Sequence, residues 1–290
     1  MNQSAKNGVI YAVLAYSAWG LFPLYWKLLV QVPAIELVCH RIIWSMVLLM
    51  GMLSMQGRIA EFQQLWRSPN TIRALLLTTC IITSNWGIYI YAVNTGRIVE
   101  TSLGYYINPL VSVLMGALIL KEKLNRAQKI AVSIATISVA TFVWNFGQVP
   151  WIAIVLAISF ASYGLFRKLI VVTPIVGLTV ETVLATPIAL MWVSDIGITG
   201  TGSFGTHWQV TLLLIGCGFV TALPLLWFNL AAKRLKLSTL GFFQYIAPSF
   251  QLLLGVMLYR EPFTPIHAVT FLLIWLAIAI YSIASLQTNA

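Results

Sequence analysis

Long apolar runs alternate along the chain with short polar links. Each run holds about 20 mainly apolar residues, the length with which an α-helix crosses the hydrocarbon core of a bilayer. Ten such runs predict an all-α protein with ten transmembrane helices. They lie near 7–26, 34–54, 74–94, 100–120, 127–146, 150–167, 175–194, 209–230, 237–259 and 266–286. The first run is too long for the core of a signal peptide and no small-residue cleavage pattern follows it, so we expect it to remain as the first span.

Two sequence motifs occur twice. The fourth span carries "YINPLVSVLMGALILKE" at 106–122, and the ninth span carries "YIAPSFQLLLGVMLYRE" at 245–261. In the same way, "WGLF" at 19–22 in the first span matches "YGLF" at 163–166 in the sixth. Because the two copies of each motif lie five spans apart, the sequence predicts a repeat unit of five helices.

A repeat unit with an odd number of helices crosses the membrane in opposite senses in its two copies. The predicted halves, 1–146 and 147–290, therefore have inverted topology, with the Lys-Glu pair at 121–122 inside and the Arg-Glu pair at 260–261 outside. Tandem inverted halves are typical of carriers that open alternately to the two sides. The alternative is an ancestral duplication kept for packing, in which glycines such as Gly116 only let helices approach closely.

Composition supports an integral membrane protein. Hydrophobic residues make up 60% of the chain and charged residues 8%, whereas roughly a quarter of residues are charged in soluble domains. The net charge of +10 is explained by orientation in the bilayer rather than by nucleic acid, because the charges lie in the links between apolar runs. Cys39, Cys80 and Cys217 lie inside apolar runs, and we expect buried hydrophobes rather than disulfides or metal ligands.

Lysine and arginine are enriched in the cytoplasmic loops of membrane proteins, and their distribution here is uneven. If the N-terminus is cytoplasmic, 13 of the 17 fall in inner loops. These are Lys6, Arg58, Arg67, Arg73, Lys121, Lys123, Arg126, Lys129, Arg167, Lys168, Lys233, Arg234 and Lys236. Lys27, Arg97 and Arg260 fall at outer ends, and Arg41 lies within a span. Both termini are therefore predicted to face the cytoplasm.

The second span begins "VPAIELVCHRIIWS" and carries ionisable groups into the membrane, where each needs a partner or a purpose. Glu36 and His40 are four residues apart and share one face, and Arg41 lies deeper. Glu181 lies well inside the seventh span. We hypothesise that these four side chains form a polar network between the halves, with Glu36 as the nearer partner of Arg41; a solitary Glu181 is the alternative. The network either takes up a proton through Glu181 or His40 or is a fixed structural clamp.

Polar and aromatic side chains recur at corresponding depths in several spans and predict the wall of a central substrate site. The predicted substrate-binding residues are Trp19, Asn85, Trp86, Tyr89, Tyr105, Asn108, Tyr163, Trp227, Asn229, Gln244 and Tyr245. The amides of Asn85, Asn108 and Gln244 favour this interpretation, because an amide that faces lipid would go unpaired. For the aromatic residues, core packing or a place in the interfacial belt is the alternative.

Prolines follow these polar residues in two spans, as Pro109 in the fourth and Pro248 in the ninth. A proline within a helix frees the carbonyl one turn earlier, which can then face a substrate or a water molecule. The repeated Tyr-Ile-x-Pro cluster therefore predicts a point at which a half-helix bends. An ordinary packed kink is the alternative.

A wall of aromatic rings and amides with one or two charges suits small amphipathic or weakly polar organic solutes better than inorganic ions. Enzyme chemistry is not expected, because Asp195 is the only aspartate, "ELVCH" at 36–40 lacks the second histidine of a zinc helix, and there is no phosphate-binding loop. We expect no cofactor and no metal. The expected partners are a small-molecule substrate and the lipid bilayer, without nucleic acid. A passive channel or a scaffold is the rival function, and the oligomeric state stays open.

Several blocks of the chain resemble one transporter family. They are "AYSAWGLFPLYWK" (15–27), "HRIIWS" (40–45), "NWGIYIYAVN" (85–94), "ETSLGYYINPL" (100–110) and "LSTLGFFQYIAP" (237–248). They are similar to the RarD branch of the EamA-type drug/metabolite transporter superfamily. The resemblance implies a carrier of the inner (cytoplasmic) membrane, with ten helices in two inverted repeats and a central cavity lined by spans one, three, four, six, eight and nine. It favours alternating access and export of a metabolite or drug; an uptake permease or passive facilitator is the alternative. Branch members carry the label "chloramphenicol-sensitive protein", which names a phenotype rather than a substrate.

Overall fold

The computed structural model describes residues 3–94, 98–146, 151–258 and 265–288, and the regular elements in these ranges are all helical. The α-helices are α1 (Gln3–Lys27), α2 (Ala34–Met55), α3 (Ile59–Leu65), α4 (Pro69–Asn94), α5 (Ile98–Leu118), α6 (Arg126–Phe146), α7 (Trp151–Leu169), α8 (Pro174–Ile198), α9 (Trp208–Ala232), α10 (Leu237–Phe243), α11 (Ile246–Leu253) and α12 (Pro265–Thr288). A π-helical turn, Leu254–Leu258, continues α11.

Each of the ten predicted apolar runs coincides with helical structure. The largest difference at a helix start is at α4, which begins at Pro69 rather than at 74. The short helix α3 lies in the link between the second and third runs, where Arg58 pairs with Glu61 at 2.7 Å; hydrogen bonds from Arg58 lower the pKa of that carboxyl. Within the described ranges, α1, α2, α7, α8 and α9 are long and apolar enough to cross a membrane, judged by length and composition.

The ninth run is broken where the sequence predicts a bend. α10 ends at Phe243 and α11 begins at Ile246, so the break falls at Gln244 and Tyr245. Pro248 has no N–H to donate to the carbonyl of Gln244 one turn earlier. That carbonyl instead accepts from the N–H of Ala247 at 3.2 Å. The matching proline of the fourth run, Pro109, lies inside the continuous helix α5.

Most large contacts between helices have a counterpart in which each helix is replaced by its equivalent in the other predicted half. α1 packs on α9 and α11, and α7 packs correspondingly on α4 and α5. α2 packs on α9, and α8 packs on α4. The remaining large contacts join equivalent helices to one another, namely α2 with α8, α5 with α10, and α6 with α12. Each half therefore packs extensively against the other.

Two of the pairs that the predicted repeat makes equivalent, α2–α8 and α6–α12, run antiparallel. At one end of the α2–α8 pair, Glu36 Oε1 accepts from the backbone N–H of Ser203 at 2.7 Å, so α2 begins where α8 has ended. At the other end, Arg58 Nη2 donates to Thr173 Oγ1 at 2.8 Å, so α2 ends where α8 begins.

The α6–α12 pair has the same sense. Asn125 Nδ2, at the start of α6, donates to the carbonyl of Ala284 near the end of α12 at 3.4 Å. Ser138 Oγ donates to the carbonyl of Thr270, near the start of α12, at 2.9 Å. These two helices pack against each other along most of their length in opposite directions.

The repeated Lys-Glu pair has a structural role in its first copy. Glu122 Oε1 accepts from the N–H of Leu237 at 2.7 Å, and its Oε2 accepts from the N–H and hydroxyl of Ser238 at 2.9 and 2.7 Å. The carboxylate thus caps the N-terminus of α10, where the positive end of the helix favours it. A Cβ on Gly116 would lie 2.7 Å from Glu122 Oε2, so glycine is required for this approach. The second copy, at 260–261, lies outside the described residues, as does Arg97.

The cysteines are free thiols. Cys39 and Cys217 are buried as predicted, but Cys80 is exposed on α4. An apolar run therefore locates a cysteine within a helix without showing whether that residue faces the protein or its surroundings.

Candidate functional site

A cavity of about 150 Å³ lies between helices of both predicted halves. Seven of the predicted substrate-binding residues line it, namely Trp19, Asn85, Trp86, Tyr89, Tyr105, Asn108 and Gln244. They come from α1, α4, α5 and the break between α10 and α11. Phe160 of α7 and Leu225 of α9 also line the cavity, so each of the six spans that the resemblance implies contributes to the wall. Arg41 lines it as well, although its helix α2 is not one of those six spans.

Two asparagines of the wall are anchored on α7. Asn85 Nδ2 donates to the carbonyl of Leu156 at 3.1 Å and to Ser159 Oγ at 2.8 Å. Asn108 Nδ2 donates to the carbonyl of Ala157 at 2.8 Å. Although Asn108 is only 4% exposed, its Oδ1 has no hydrogen-bond partner among the described residues. Asn108 therefore lines the cavity with a buried acceptor that no group in the described part of the chain satisfies.

Gln244 brings the broken ninth run to the cavity. Its Nε2 donates to Ser112 Oγ of α5 at 3.2 Å. The backbones are close here, because a Cβ on Gly241 would lie 2.9 Å from the carbonyl oxygen of Pro109. Pro109 of the repeat thus lies at the contact between α5 and α10, and Pro248 lines the cavity next to it.

Arg41 extends into the cavity rather than toward a carboxylate. Its Nε donates to Thr221 Oγ1 at 2.9 Å. The guanidinium carbon lies 4.9 Å from the ring centre of Trp86 and 5.2 Å from that of Trp26, within the range of cation–π attraction. The predicted pairing with Glu36 is wrong: within the part of the chain that the structure describes, Arg41 has no ion pair.

Glu36 instead holds the loop between α8 and α9. Besides its bond from Ser203 N–H, it accepts from Ser203 Oγ at 2.9 Å and from the N–H of Phe204 at 3.3 Å. His40 Nε2 lies 3.8 Å from Glu36 Oε1, and the His40 ring stacks on Phe204 at 5.0 Å. Trp44 Nε1 donates to His40 Nδ1 at 3.2 Å. The predicted contact between Glu36 and His40 is therefore present. Both residues also contact the loop between α8 and α9, and Arg41 takes no part in these contacts.

Glu181 is not solitary, because Arg167 lies beside it. Arg167 Nη1 is 3.7 Å from Glu181 Oε1, and the two side chains are almost completely buried. Thr78 Oγ1 and Tyr163 OH donate to the same carboxylate at 2.5 and 3.2 Å. Arg167 Nε donates to Asn229 Oδ1 at 2.9 Å. The prediction that Arg167 is an inner-loop charge is therefore wrong; it is a buried partner of Glu181.

Four predicted substrate-binding residues lie away from this cavity. Tyr163 and Asn229 belong to the Arg167–Glu181 cluster, where Asn229 Nδ2 also donates to Tyr163 OH at 3.3 Å. Tyr245 is fully buried and packs in a second core with Phe242, 6.0 Å between ring centres. Trp227 packs, partly buried, against the main core. Their rings and amides are used for packing and for hydrogen bonds within the protein.

Aromatic residues that the sequence analysis did not single out complete the cavity wall, and one of them, Phe160, forms its floor with Trp19 over the buried ring of Phe228. Trp19 lies 5.6 Å from Phe160 and 5.7 Å from Phe228, and Phe160 lies 5.4 Å from Phe228, measured between ring centres. Tyr16, Phe22 and Trp26 also line the wall. Their spacing of three, three and four residues around Trp19 places them on one face of α1.

A smaller chamber of about 20 Å³ lies next to the cavity. It shares Arg41, Trp86 and Leu225 with the cavity wall and includes Tyr163 and Glu181 on its own wall. Its other polar lining residues are hydroxyls, Ser45, Thr79, Thr83, Thr182 and Thr221. This volume holds about one water molecule.

The cavity lies toward one end of the helix bundle. Its wall uses the later parts of α1 and α4, as at Trp26 and Tyr89, and the earlier parts of α2 and α5, as at Arg41 and Tyr105. The link 28–33 joins α1 to α2 at that end.

The opposite end is closed by reciprocal lysine contacts. Lys168 Nζ donates to the carbonyl of Ala232 at 3.1 Å, and Lys233 Nζ donates to the carbonyl of Lys168 at 3.1 Å. Burial, with the nearby charges of Arg167 and Lys168, lowers the pKa of Lys233 to about 8. The ends of α7 and α9 are thus tied together, on the same side as the Glu122 cap.

Comparison with known proteins places this arrangement among membrane transporters. Residues 6–144 match the EamA-like transporter family. An uncharacterized transporter of Vibrio cholerae is 45% identical over 99% of this chain and 95% of its own length. The protein RarD of Escherichia coli is 41% identical over 99% of this chain and 97% of its own length. A crystal structure with 18% sequence identity has the same fold, with a TM-score of 0.73 over 95% of this chain and 97% of that one.

Proposed function

The chain belongs to the RarD branch of the EamA-like transporter family, whose members are multi-pass proteins of the inner membrane, and we propose on that premise that it is a secondary carrier. The carrier moves a small organic metabolite or amphipathic drug across the cytoplasmic membrane by alternating access, in the direction of export. The substrate binds in the 150 Å³ cavity.

The composition of the cavity wall carries this proposal. Sites for small organic molecules are concave and mainly apolar, with a few well-placed polar groups. This wall combines aromatic rings, three amides and Arg41, and no carboxylate is among its described residues. Such a wall favours organic solutes over inorganic cations, which need a dense set of oxygen ligands.

Alternating access is supported by the helix arrangement. Ten spans in two inverted halves, 1–146 and 147–290, account for the antiparallel packing of α2 with α8 and of α6 with α12. Rocking of one half against the other around a central site is the usual motion of such carriers. The end carrying Glu122 and Lys233 is cytoplasmic by its excess of lysine and arginine, so this conformation has its cavity toward the outer side.

Counterflow in proteoliposomes tests the carrier proposal. The probes are phenylalanine, uridine and chloramphenicol, each first screened for a shift in the melting temperature of the purified protein. We expect saturable counterflow of at least one probe. Phe22→Cys, in a chain with Cys39, Cys80 and Cys217 replaced by alanine, is expected to lose this flux after reaction with a thiol reagent, because Phe22 lines the cavity.

The matched control is Val171→Cys in the same background, since Val171 is 96% exposed in the link after α7. Its reaction with the reagent should leave flux unchanged. Flux that rises linearly with concentration, or a Phe22→Cys flux that survives complete labelling, would contradict a carrier that uses this cavity and would favour a passive channel.

A further inference from the structure

We propose that the cavity is built for an organic monocarboxylate that also carries a hydrogen-bond donor, with Arg41 binding the carboxylate. The inference rests on the proposed carrier function and names the substrate class of the same site. Three features support it: an arginine without a counter-ion and an amide oxygen without a hydrogen-bond partner, both judged within the described residues, and an aromatic wall.

Among the described residues, Arg41 has no carboxylate partner. An arginine inside a membrane protein keeps its charge and needs an anionic or strongly polar partner. Of the described residues that line the cavity, Arg41 is the one with a formal charge. Its single hydrogen bond within the described chain uses Nε, toward Thr221, which leaves both Nη groups without a protein acceptor.

The geometry around Arg41 fits a carboxylate. The guanidinium carbon of Arg41 lies within cation–π range of the Trp26 and Trp86 rings, and these contacts use none of its N–H groups as hydrogen-bond donors to a protein oxygen. Two parallel N–H groups match the two oxygens of a carboxylate. A phosphate monoester carries more negative charge than one arginine neutralises, so the site favours a monoanion.

Asn108 supplies the second contact. Its Nδ2 is committed to the carbonyl of Ala157, and the reverse orientation of the amide would bring two carbonyl oxygens together. The orientation is therefore determined, and Oδ1 is left as a buried acceptor on the cavity wall. A ligand N–H or O–H satisfies it, and a ligand without such a group leaves it unpaired.

The rest of the wall favours an apolar, flat body for the ligand. Tyr89 and Tyr105 lie 6.4 Å apart between ring centres, and Trp19 and Phe160 form the floor at 5.6 Å from each other. Aromatic rings pack on one another with preferred offset or edge-on geometry, so an aromatic ligand gains most from this wall.

Pairs of an acid and its neutral amide separate the contribution of the carboxylate from those of the ligand N–H and the aromatic ring. Hippurate has a carboxylate, an N–H and a phenyl ring; hippuramide has the same body without the charge. Phenylacetate and phenylacetamide form a second pair that lacks the internal N–H. Binding to the purified full chain is measured by calorimetry for the wild type, Arg41→Met, Arg41→Lys and Asn108→Leu. Arg58→Met removes an arginine from the surface and is the matched control.

We expect wild-type protein to bind hippurate roughly tenfold or more tightly than hippuramide, and more tightly than phenylacetate. Arg41→Met should remove the preference for the anion, Arg41→Lys should keep part of it, and Arg58→Met should keep all of it. Asn108→Leu should remove the advantage of hippurate over phenylacetate.

Equal binding of each acid and its amide, or no binding of either acid, overturns the inference, and this comparison needs only the wild type. Undiminished hippurate binding by a folded Arg41→Met variant overturns it as well. The carrier proposal is judged separately: carboxylate binding without counterflow contradicts the carrier, whereas counterflow of a neutral probe without carboxylate binding contradicts only the anion site.

Discussion

Replacing Arg167 with methionine is expected to destabilise the protein by about 3–5 kcal/mol, because the change leaves the Glu181 carboxylate buried without its counter-charge. Arg167 and Glu181 are almost completely buried. The measurement is thermal and denaturant unfolding of the purified protein in detergent. The double variant with methionine at both positions should recover much of the loss, since it removes both charges together.

Arg58→Met is the matched control for this prediction. Arg58 pairs with Glu61 at 2.7 Å, but the two side chains remain 27% and 50% exposed. The Arg58→Met variant should therefore lose no more than about 1 kcal/mol. An Arg167→Met protein as stable as Arg58→Met would show that the buried pair contributes little.

Glu181→Gln distinguishes a fixed structural clamp from a site of proton uptake. A clamp predicts lost stability with unchanged pH dependence of flux, and a proton site predicts that the pH dependence of flux is lost.

The second large effect is expected at Gly218 on α9. A Cβ at this position would lie 2.6 Å from the carbonyl carbon and oxygen of Trp44, which belong to the backbone of α2. Gly218→Ala must therefore separate α2 from α9, and we expect a loss of about 1–3 kcal/mol. The melting temperature and the yield of folded protein measure it.

Gly51→Ala is the control on α2 itself, since a Cβ there meets nothing within 4 Å. Alanine has a higher helix propensity than glycine, so this variant should be neutral or more stable by up to about 1 kcal/mol. Equal melting temperatures for the two alanine variants would contradict the close packing of α2 on α9.

The helices were predictable because the length and apolarity of a run are local properties, and the described part of each run is helical apart from the end of the fourth and the break in the ninth. The interaction partners of the charged side chains were less predictable. Residues 36 and 41 are close in sequence, but five helical steps turn the chain by about 140° at 3.6 residues per turn. Glu36 and Arg41 therefore point to different neighbours. Arg167 resembled a loop charge because it ends an apolar run, and its partner Glu181 is on another helix.

An alignment of the two copies of the repeated motif explains part of the cavity wall. Tyr245 aligns with Tyr106, and both are buried in the same core cluster away from the cavity. Gln244 aligns with Tyr105, and both line the cavity. Comparing the two copies position by position separates wall from core, whereas residue type alone does not, since tyrosine occurs in both settings.

Labelling of single cysteines from the two sides of the membrane tests the central claim of two inverted halves most directly. Lys123→Cys and Pro262→Cys follow the two copies of the repeated motif and are made with Cys39, Cys80 and Cys217 replaced by alanine. In intact cells, an impermeant maleimide should label residue 262, and residue 123 should react only after the inner membrane is permeabilised. Labelling of both residues from the same side would contradict the inverted arrangement and the alternating-access carrier built on it.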